Sequence, residues 1–152
     1  MNYEYNARIT KVIDGDTVEV DIDLGFNTIL ANQSVRLLGI DTPESRTSDK
    51  IEKVFGLLSK EFVKTFVSEC EDGWVVIRTH KSDDTEKFGR VLAEIINSKT
   101  SKNLNEELIK NGYAVRYMGE NKKVVADLHM LNRKRLIEEG VVKLSLKEAG
   151  IQ

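Results

Sequence analysis

From Val18 to Leu24 apolar and polar residues alternate, with Val18, Val20, Ile22 and Leu24 on one side and Thr17, Glu19, Asp21 and Asp23 on the other. A period of two is that of a half-buried strand. Ile9, Val12 and Ile13 open an earlier strand, Leu24-Gly25-Phe26-Asn27 reads as a turn, and Ile29 to Ile40 carries further strand. Then the period changes. Ile51, Val54, Phe55, Leu58, Phe62 and Phe66 recur at helical spacing, which predicts an amphipathic helix from about residue 50 to 70. Trp74 to Ile77, after the Asp72-Gly73 turn, predicts a strand, and Val91 to Ile96 predicts another. Asn105 is expected to cap a short helix that ends before Gly112, a C′ glycine. A third helix is predicted from Val124 to Glu139, with Val124, Leu128, Leu131 and Leu136 on its apolar face and Gly140 behind it.

Five short strands with a helix between the third and fourth predict a mainly β, α+β chain: a closed or partly closed antiparallel barrel, of which the five-stranded Greek-key OB-fold is the common small form. A small α+β sandwich is the alternative, and the pattern leaves the strand order open. The 152 residues, 40% of them hydrophobic, suit one domain over 1–152. No repeat or linker divides them.

Charge adds an asymmetry. The formal net charge is only −2, which argues against general attraction to nucleic acid. Yet residues 110–135 hold seven Lys/Arg against two acids, while residues 1–30 hold two basic residues against six acids. One end of the chain suits phosphates and the other a cation. The lone Cys70 excludes an internal disulfide and reads as a small buried hydrophobe. Met1 to Tyr5 has neither the basic nor the apolar region of a secretory signal, and no apolar run approaches the ~18 residues of a membrane span. A cytoplasmic monomer without a membrane partner is therefore expected.

Three clusters carry candidate chemistry. Asp14-Gly15-Asp16-Thr17 is, alone, ordinary hairpin-turn chemistry. Arg36-Leu37-Leu38-Gly39-Ile40-Asp41-Thr42-Pro43-Glu44 packs a guanidinium, two carboxylates and a proline-fixed turn into nine residues. Arg36 shares a strand face with Leu38 and Ile40, so it needs a carboxylate, a phosphate or a route to solvent. A structural salt bridge to Asp41 or Glu44 would satisfy it equally. Pro43 removes a backbone donor and helps leave the Thr42 carbonyl available. Lys87-Phe88-Gly89-Arg90, alone a solvated basic turn, offers a second guanidinium. Together these parts match phosphodiester hydrolysis. Arginines meet the charge that grows on phosphate, carboxylates and a carbonyl make a hard oxygen site for Ca²⁺ or Mg²⁺, and a further carboxylate handles the water. His80 and His129 are isolated and read as surface residues, so no zinc constellation is present.

In this order and spacing the three motifs resemble the staphylococcal-nuclease (thermonuclease) family over roughly residues 5–140. The resemblance implies an OB-fold barrel with three helices and Ca²⁺-dependent cleavage of DNA and RNA that leaves 3′-phosphate ends. It implies Asp16, Asp41 and the Thr42 carbonyl as Ca²⁺ ligands. Glu44 would orient or deprotonate the water, Arg36 and Arg90 would clamp the phosphate, and Lys87 would meet a neighbouring phosphate. Tyr113 and Tyr117 are the candidates for base stacking. The chain departs from the family's secreted prototype in four ways, one of them that the prototype's pair of tyrosines after the second helix is not matched cleanly by Tyr113 and Tyr117. Asp16 and Arg36 stand 20 positions apart, with extra length around Asp23 to Ser34 that reads as an extended hairpin beside the site. Phe88 stands where the prototype has a tyrosine. The chain is also neither strongly basic nor equipped with a visible secretory signal. A non-catalytic OB-fold nucleic-acid-binding module, or an interaction domain with a structural Ca²⁺ site, are the competing readings.

Overall fold

The computed structural model describes residues 3–79 and 89–151. Strands β1 (Tyr3–Asp14), β2 (Thr17–Gly25) and β3 (Thr28–Leu37) form a meander, followed by the short β4 (Ile40–Asp41) and helix α1 (Lys50–Ser68). A 3₁₀ turn (Glu71–Gly73) leads to β5 (Trp74–Thr79) and β6 (Val91–Ile96). Helix α2 (Leu104–Lys110), strand β7 (Val115–Arg116) and helix α3 (Lys122–Glu138) complete the order. Five strands close into a barrel in the order β1-β2-β3-β6-β5, with β5 pairing back onto β1, while β4 and β7 form a separate two-stranded sheet. The fourth and fifth barrel strands thus exchange places, as in the OB-fold, and closure excludes the sandwich. The barrel is mixed rather than antiparallel, because β3 and β6 run parallel. A parallel pair needs a long crossover, and β4, α1 and β5 supply it.

The period-two pattern of β2 emerges intact: Val18, Val20 and Ile22 are buried, and Glu19, Asp21 and Asp23 are not. Val35, Leu37, Val75, Ile77, Ala93 and Ile95 fill the barrel with them. Val63 and Phe66 of α1 and Leu104 and Leu108 of α2 complete this core. Each valine, leucine or isoleucine among them contributes about 1.5–3 kcal/mol when fully buried. A second cluster of Phe55, Leu136 and Val142 holds the chain after α3 against α1. Cys70 is buried, its thiol directed at the Phe66 carbonyl.

Two expectations are corrected. Asn103, not Asn105, caps α2, its side chain accepting from the Glu106 amide. Asn105 lies inside the helix and is buried. Its amide donates to the carbonyls of Leu38 (2.9 Å) and Ala93 (3.3 Å) and accepts from the Ile95 amide, tying β6 to the stretch after β3. The apolar face assigned to α3 is also wrong. Val124, Leu128 and Leu131 are exposed, Leu131 to 63%, and only Leu136 is buried, at 2%. The helix instead turns Val125, His129, Asn132 and Leu136 inward, a stripe whose middle is polar.

Beyond Ile22 the β2–β3 hairpin carries exposed apolar side chains, Leu24, Phe26, Ile29 and Leu30. The turn is the pair Phe26-Asn27 between Gly25 and Thr28. Both turn residues have positive φ (+54° and +59°), the I′ geometry that suits the twist of a two-residue hairpin but is costly for an aromatic side chain. Among the described residues no helix is long and apolar enough to cross a membrane.

Candidate active site

The Asp-Gly-Asp-Thr motif is a hairpin turn, and it is also where the candidate site begins. β1 ends at Asp14 and β2 starts at Thr17, so Gly15 and Asp16 form the turn. Gly15 is not there for a positive φ. A Cβ on it would lie 2.7 Å from the Ser59 Cβ and 3.1 Å from the Thr42 hydroxyl, so the turn is pressed onto α1 and the chain after β4. Asp16, in this turn, is thereby largely buried.

Thr17 pairs with Arg36 across β2 and β3, which brings the first and second motifs together. The Arg36 guanidinium lies between two carboxylates, with Nη2 3.4 Å from Asp16 Oδ2 and 3.5 Å from Asp41 Oδ1. Its Nη1 donates to the Leu37 carbonyl at 2.9 Å. The partner a half-buried arginine requires is therefore Asp16 as well as Asp41. Arg90, just before β6, donates through Nη1 to the Thr17 hydroxyl at 3.3 Å, and that hydroxyl donates to Asp16 Oδ1 at 2.9 Å. On the far side, Asp41 Oδ2 meets His129 Nε2 at 2.7 Å. Arg90, Thr17, Asp16, Arg36, Asp41 and His129 form one continuous polar chain.

Arg36 and Arg90 line the same open cleft of about 430 Å³, together with Tyr117 and Met118. Tyr117 is exposed there, and its amide donates to the Gly39 carbonyl, which holds β7 against the turn after β3. Tyr113 is elsewhere. Its ring packs on Phe62, centroids 5.1 Å apart, and its carbonyl accepts from Ser59 at 2.6 Å. Lys87, Phe88 and His80 lie outside the described residues.

Glu44 sits over α1, where Gly56 lets its backbone approach the helix. Its carboxyl is raised above the ordinary carboxylate pKa, first by desolvation and then by the charges of Asp14, Asp16, Asp41 and Glu52. Asp16 is also raised: burial outweighs the lowering effects of Arg36 and the Thr17 hydroxyl. These acids repel one another and have only oxygen to offer, the donor chemistry of a hard cation. Among the described residues no three metal-binding side chains form a ready-made cage, and Arg36 fills the space between Asp16 and Asp41. The donor types fit Ca²⁺ or Mg²⁺ without being pre-assembled around one.

The family model for staphylococcal nuclease homologues matches residues 34–139. The chain belongs to the staphylococcal nuclease family. The matched span contains Arg36, Asp41, Thr42, Glu44, Arg90 and His129, while Asp16 precedes it. Relatives of this nuclease homologue include endonuclease YhcR of Bacillus subtilis, 29% identical over 119 residues that cover 75% of this chain and 9% of that protein. An uncharacterized protein of Methanocaldococcus jannaschii, MJ1439, is 33% identical over 133 residues, 75% of this chain and 60% of its own length. The thermonuclease of Staphylococcus hyicus is 29% identical over 111 residues, 73% of this chain and 59% of its own. The chain thus spans at most about three fifths of the length of these relatives.

Two residues of the polar chain escape a motif-based reading. Thr17 closes the Asp-Gly-Asp-Thr motif and is legible there only as a turn residue. His129, expected at the surface, has a side chain only 16% exposed. The signal for it was its place in the inner stripe Val125, His129, Asn132, Leu136, which a count of apolar residues passes over.

The basic segment 110–135 is less available to phosphates than its composition suggests. Arg116 is held by both oxygens of Glu106, Lys134 pairs with Glu138, Arg135 pairs with Glu139, and Arg133 lies over the Phe55 ring. Lys122 and Lys123, at the start of α3, are exposed, and no ion pair holds them among the described residues.

Proposed function

We propose that this nuclease homologue is a Ca²⁺-dependent phosphodiesterase that cuts DNA and RNA and leaves 3′-phosphate ends, acting from the cleft lined by Arg36 and Arg90. The observation that carries the reading is the joining of three separate motifs into one site, with both guanidinium groups on one cleft and a cluster of mutually repelling carboxylates behind them. Relatives of 29% identity are an endonuclease and a thermonuclease, which supports the same chemistry here.

The substrate phosphate enters the cleft and meets Arg36 and Arg90. Their planar, permanently charged forks suit phosphate oxygens and oppose the charge that grows on attack. Glu44 stands in an acidic, partly dry setting that makes its carboxylate a better proton acceptor than an ordinary glutamate, so it orients the attacking water or takes its proton. Asp16, Asp41 and the Thr42 carbonyl would hold Ca²⁺, which supplies positive charge beside the attacked phosphate when bound. Tyr117 on the cleft wall offers a face for a base to stack on, worth ~1–3 kcal/mol per base and indifferent to sequence.

One observation favours the non-catalytic binding module: Asp16 and Asp41 are both already paired with Arg36. The two readings part in one assay. Purified protein is incubated with plasmid DNA and with RNA in Ca²⁺, in Mg²⁺ and in EDTA. Degradation of both substrates in Ca²⁺, abolished by EDTA, is expected. Retention of substrate in a gel shift with no cleavage in any metal would leave the binding module standing.

A further inference from the structure

His129 enters neither the motifs nor the mechanism above, yet it touches the site at its most constrained point. Its Nε2 lies 2.7 Å from Asp41 Oδ2, while the other oxygen of that carboxylate faces Arg36 at 3.5 Å. The imidazole therefore closes one side of Asp41 and the guanidinium the other. The ring is well anchored. One turn further along α3, Asn132 donates to the Ala114 carbonyl at 3.1 Å, and Leu136 is buried against Phe55 and Val142. Ala114 adjoins β7, whose Val115 pairs directly with Asp41 of β4. Helix α3, β7 and the strand that carries Asp41 are thus one tied unit, and His129 does not reach the carboxylate by chance rotation.

The geometry also sets the direction of this hydrogen bond. A carboxylate oxygen at 2.7 Å is an acceptor, so Nε2 must carry the hydrogen. Nδ1 is buried and has no hydrogen-bond partner among the described residues. The arrangement is that of a donor dedicated to one carboxylate.

We infer that His129 is a positioning residue for the nuclease site. Its Nε2–H clamps Asp41 so that one oxygen stays turned toward Arg36 and Asp16, the orientation in which both aspartates can share one cation. The inference rests on the proposed function, because it concerns the use to which Asp41 is put. A histidine that merely fills space between α3 and β4 would be replaceable by leucine of similar bulk. A clamp would not be.

The test is calorimetric titration of Ca²⁺ alone into wild-type protein and into His129→Leu, His129→Gln and His129→Asn, with melting temperature and cleavage followed in the same preparations. Leucine fills the site without a donor. Glutamine carries an N–H at about the reach of Nε2, whereas asparagine is too short. Loss of an orienting partner to a metal-binding group typically costs 10–100-fold in metal affinity. We expect His129→Leu to bind Ca²⁺ 10–100-fold more weakly at a melting temperature close to wild type, with His129→Gln recovering much of the loss. Ca²⁺ affinity of His129→Leu equal to wild type overturns the inference. Should His129→Leu fail to fold, the glutamine and asparagine variants decide: glutamine binding at least several-fold tighter supports the clamp, and equal binding overturns it. If wild-type protein itself neither binds Ca²⁺ nor cleaves, it is the nuclease reading that has failed, and the inference falls with it.

Discussion

Gly56 offers a perturbation in which fold and function are expected to part. It lies in the middle of α1, where alanine is ordinarily the better residue by about 1 kcal/mol. A Cβ at this position would sit 2.6 Å from the Ser45 nitrogen and closer still to the Glu44 carbonyl, where real Cβ atoms are essentially never found. The obstacle is backbone, which cannot rotate away as a side chain would. Relief requires α1 or the Glu44–Ser45 segment to shift by roughly an ångström, and overpacking of this kind typically costs 1–3 kcal/mol. The propensity gain offsets part of that, so Gly56→Ala should destabilise by only about 0–2 kcal/mol. The effect on rate should be larger in proportion. A misplacement of about 1 Å in a group that must line up with the reacting atoms costs on the order of 10²-fold. Urea denaturation together with kcat on a defined oligonucleotide separates the two quantities. A variant that is about 1 kcal/mol more stable than wild type and cleaves at the wild-type rate would refute the close approach of Glu44 to the helix and the role argued for it.

Three further outcomes follow from the same geometry. Arg36→Lys and Arg90→Lys keep the charge but lose the bidentate fork, and each should lower kcat by on the order of 10²–10³ in steady-state cleavage; near-wild-type rates for both would remove the arginines from the mechanism. Asp16 and Glu44 are easier to protonate in the folded chain than in the unfolded one. Their contribution to stability therefore falls as pH rises from about 4 through their raised folded values, and in metal-free buffer the Asp16→Asn, Glu44→Gln double variant should gain on wild type across that window; a stability difference that does not change with pH would contradict this. Phe26 holds φ +54° at a fully exposed hairpin tip, where a left-handed conformation costs an ordinary residue roughly 1–2 kcal/mol. Phe26→Asn should therefore stabilise the protein by up to about 1 kcal/mol in chemical denaturation, and destabilisation would show that the ring has a partner in the fold.

The strands and helices were legible because period two and period 3.6 are written in the apolar residues themselves, as in Val18, Val20 and Ile22. The parallel β3–β6 pair was not, because strand direction depends on the path of the crossover and leaves no local mark. Asn105 and Asn103 stand two residues apart, and both suit an N-cap. Only the buried carbonyls of Leu38 and Ala93 decide that Asn105 belongs inside. Helix α3 misled for a related reason. Its exposed face carries leucines and its inner face carries His129 and Asn132, because that face meets Asp41 and the Ala114 carbonyl rather than a hydrocarbon core. At the site, Arg36 could be known to need a partner, but the choice of Asp16 and Asp41 over Glu44 is a matter of three-dimensional approach. Tyr113 and Tyr117 looked equivalent four residues apart, yet one packs on Phe62 and the other opens onto the cleft of the arginines.

The central claim, that this cleft hydrolyses phosphodiester bonds with Glu44 acting on the water, is tested most directly by single-turnover cleavage of a 5′-labelled oligonucleotide. Wild type and Glu44→Gln are purified in parallel and assayed in Ca²⁺, and the fragment ends are analysed chemically. Wild type is expected to cut and Glu44→Gln not to, at comparable folded concentration. The labelled fragments should resist polymerase extension until a phosphatase removes their 3′-phosphate. Equal cleavage by both proteins, or fragments that are extended without phosphatase treatment, would contradict the claim.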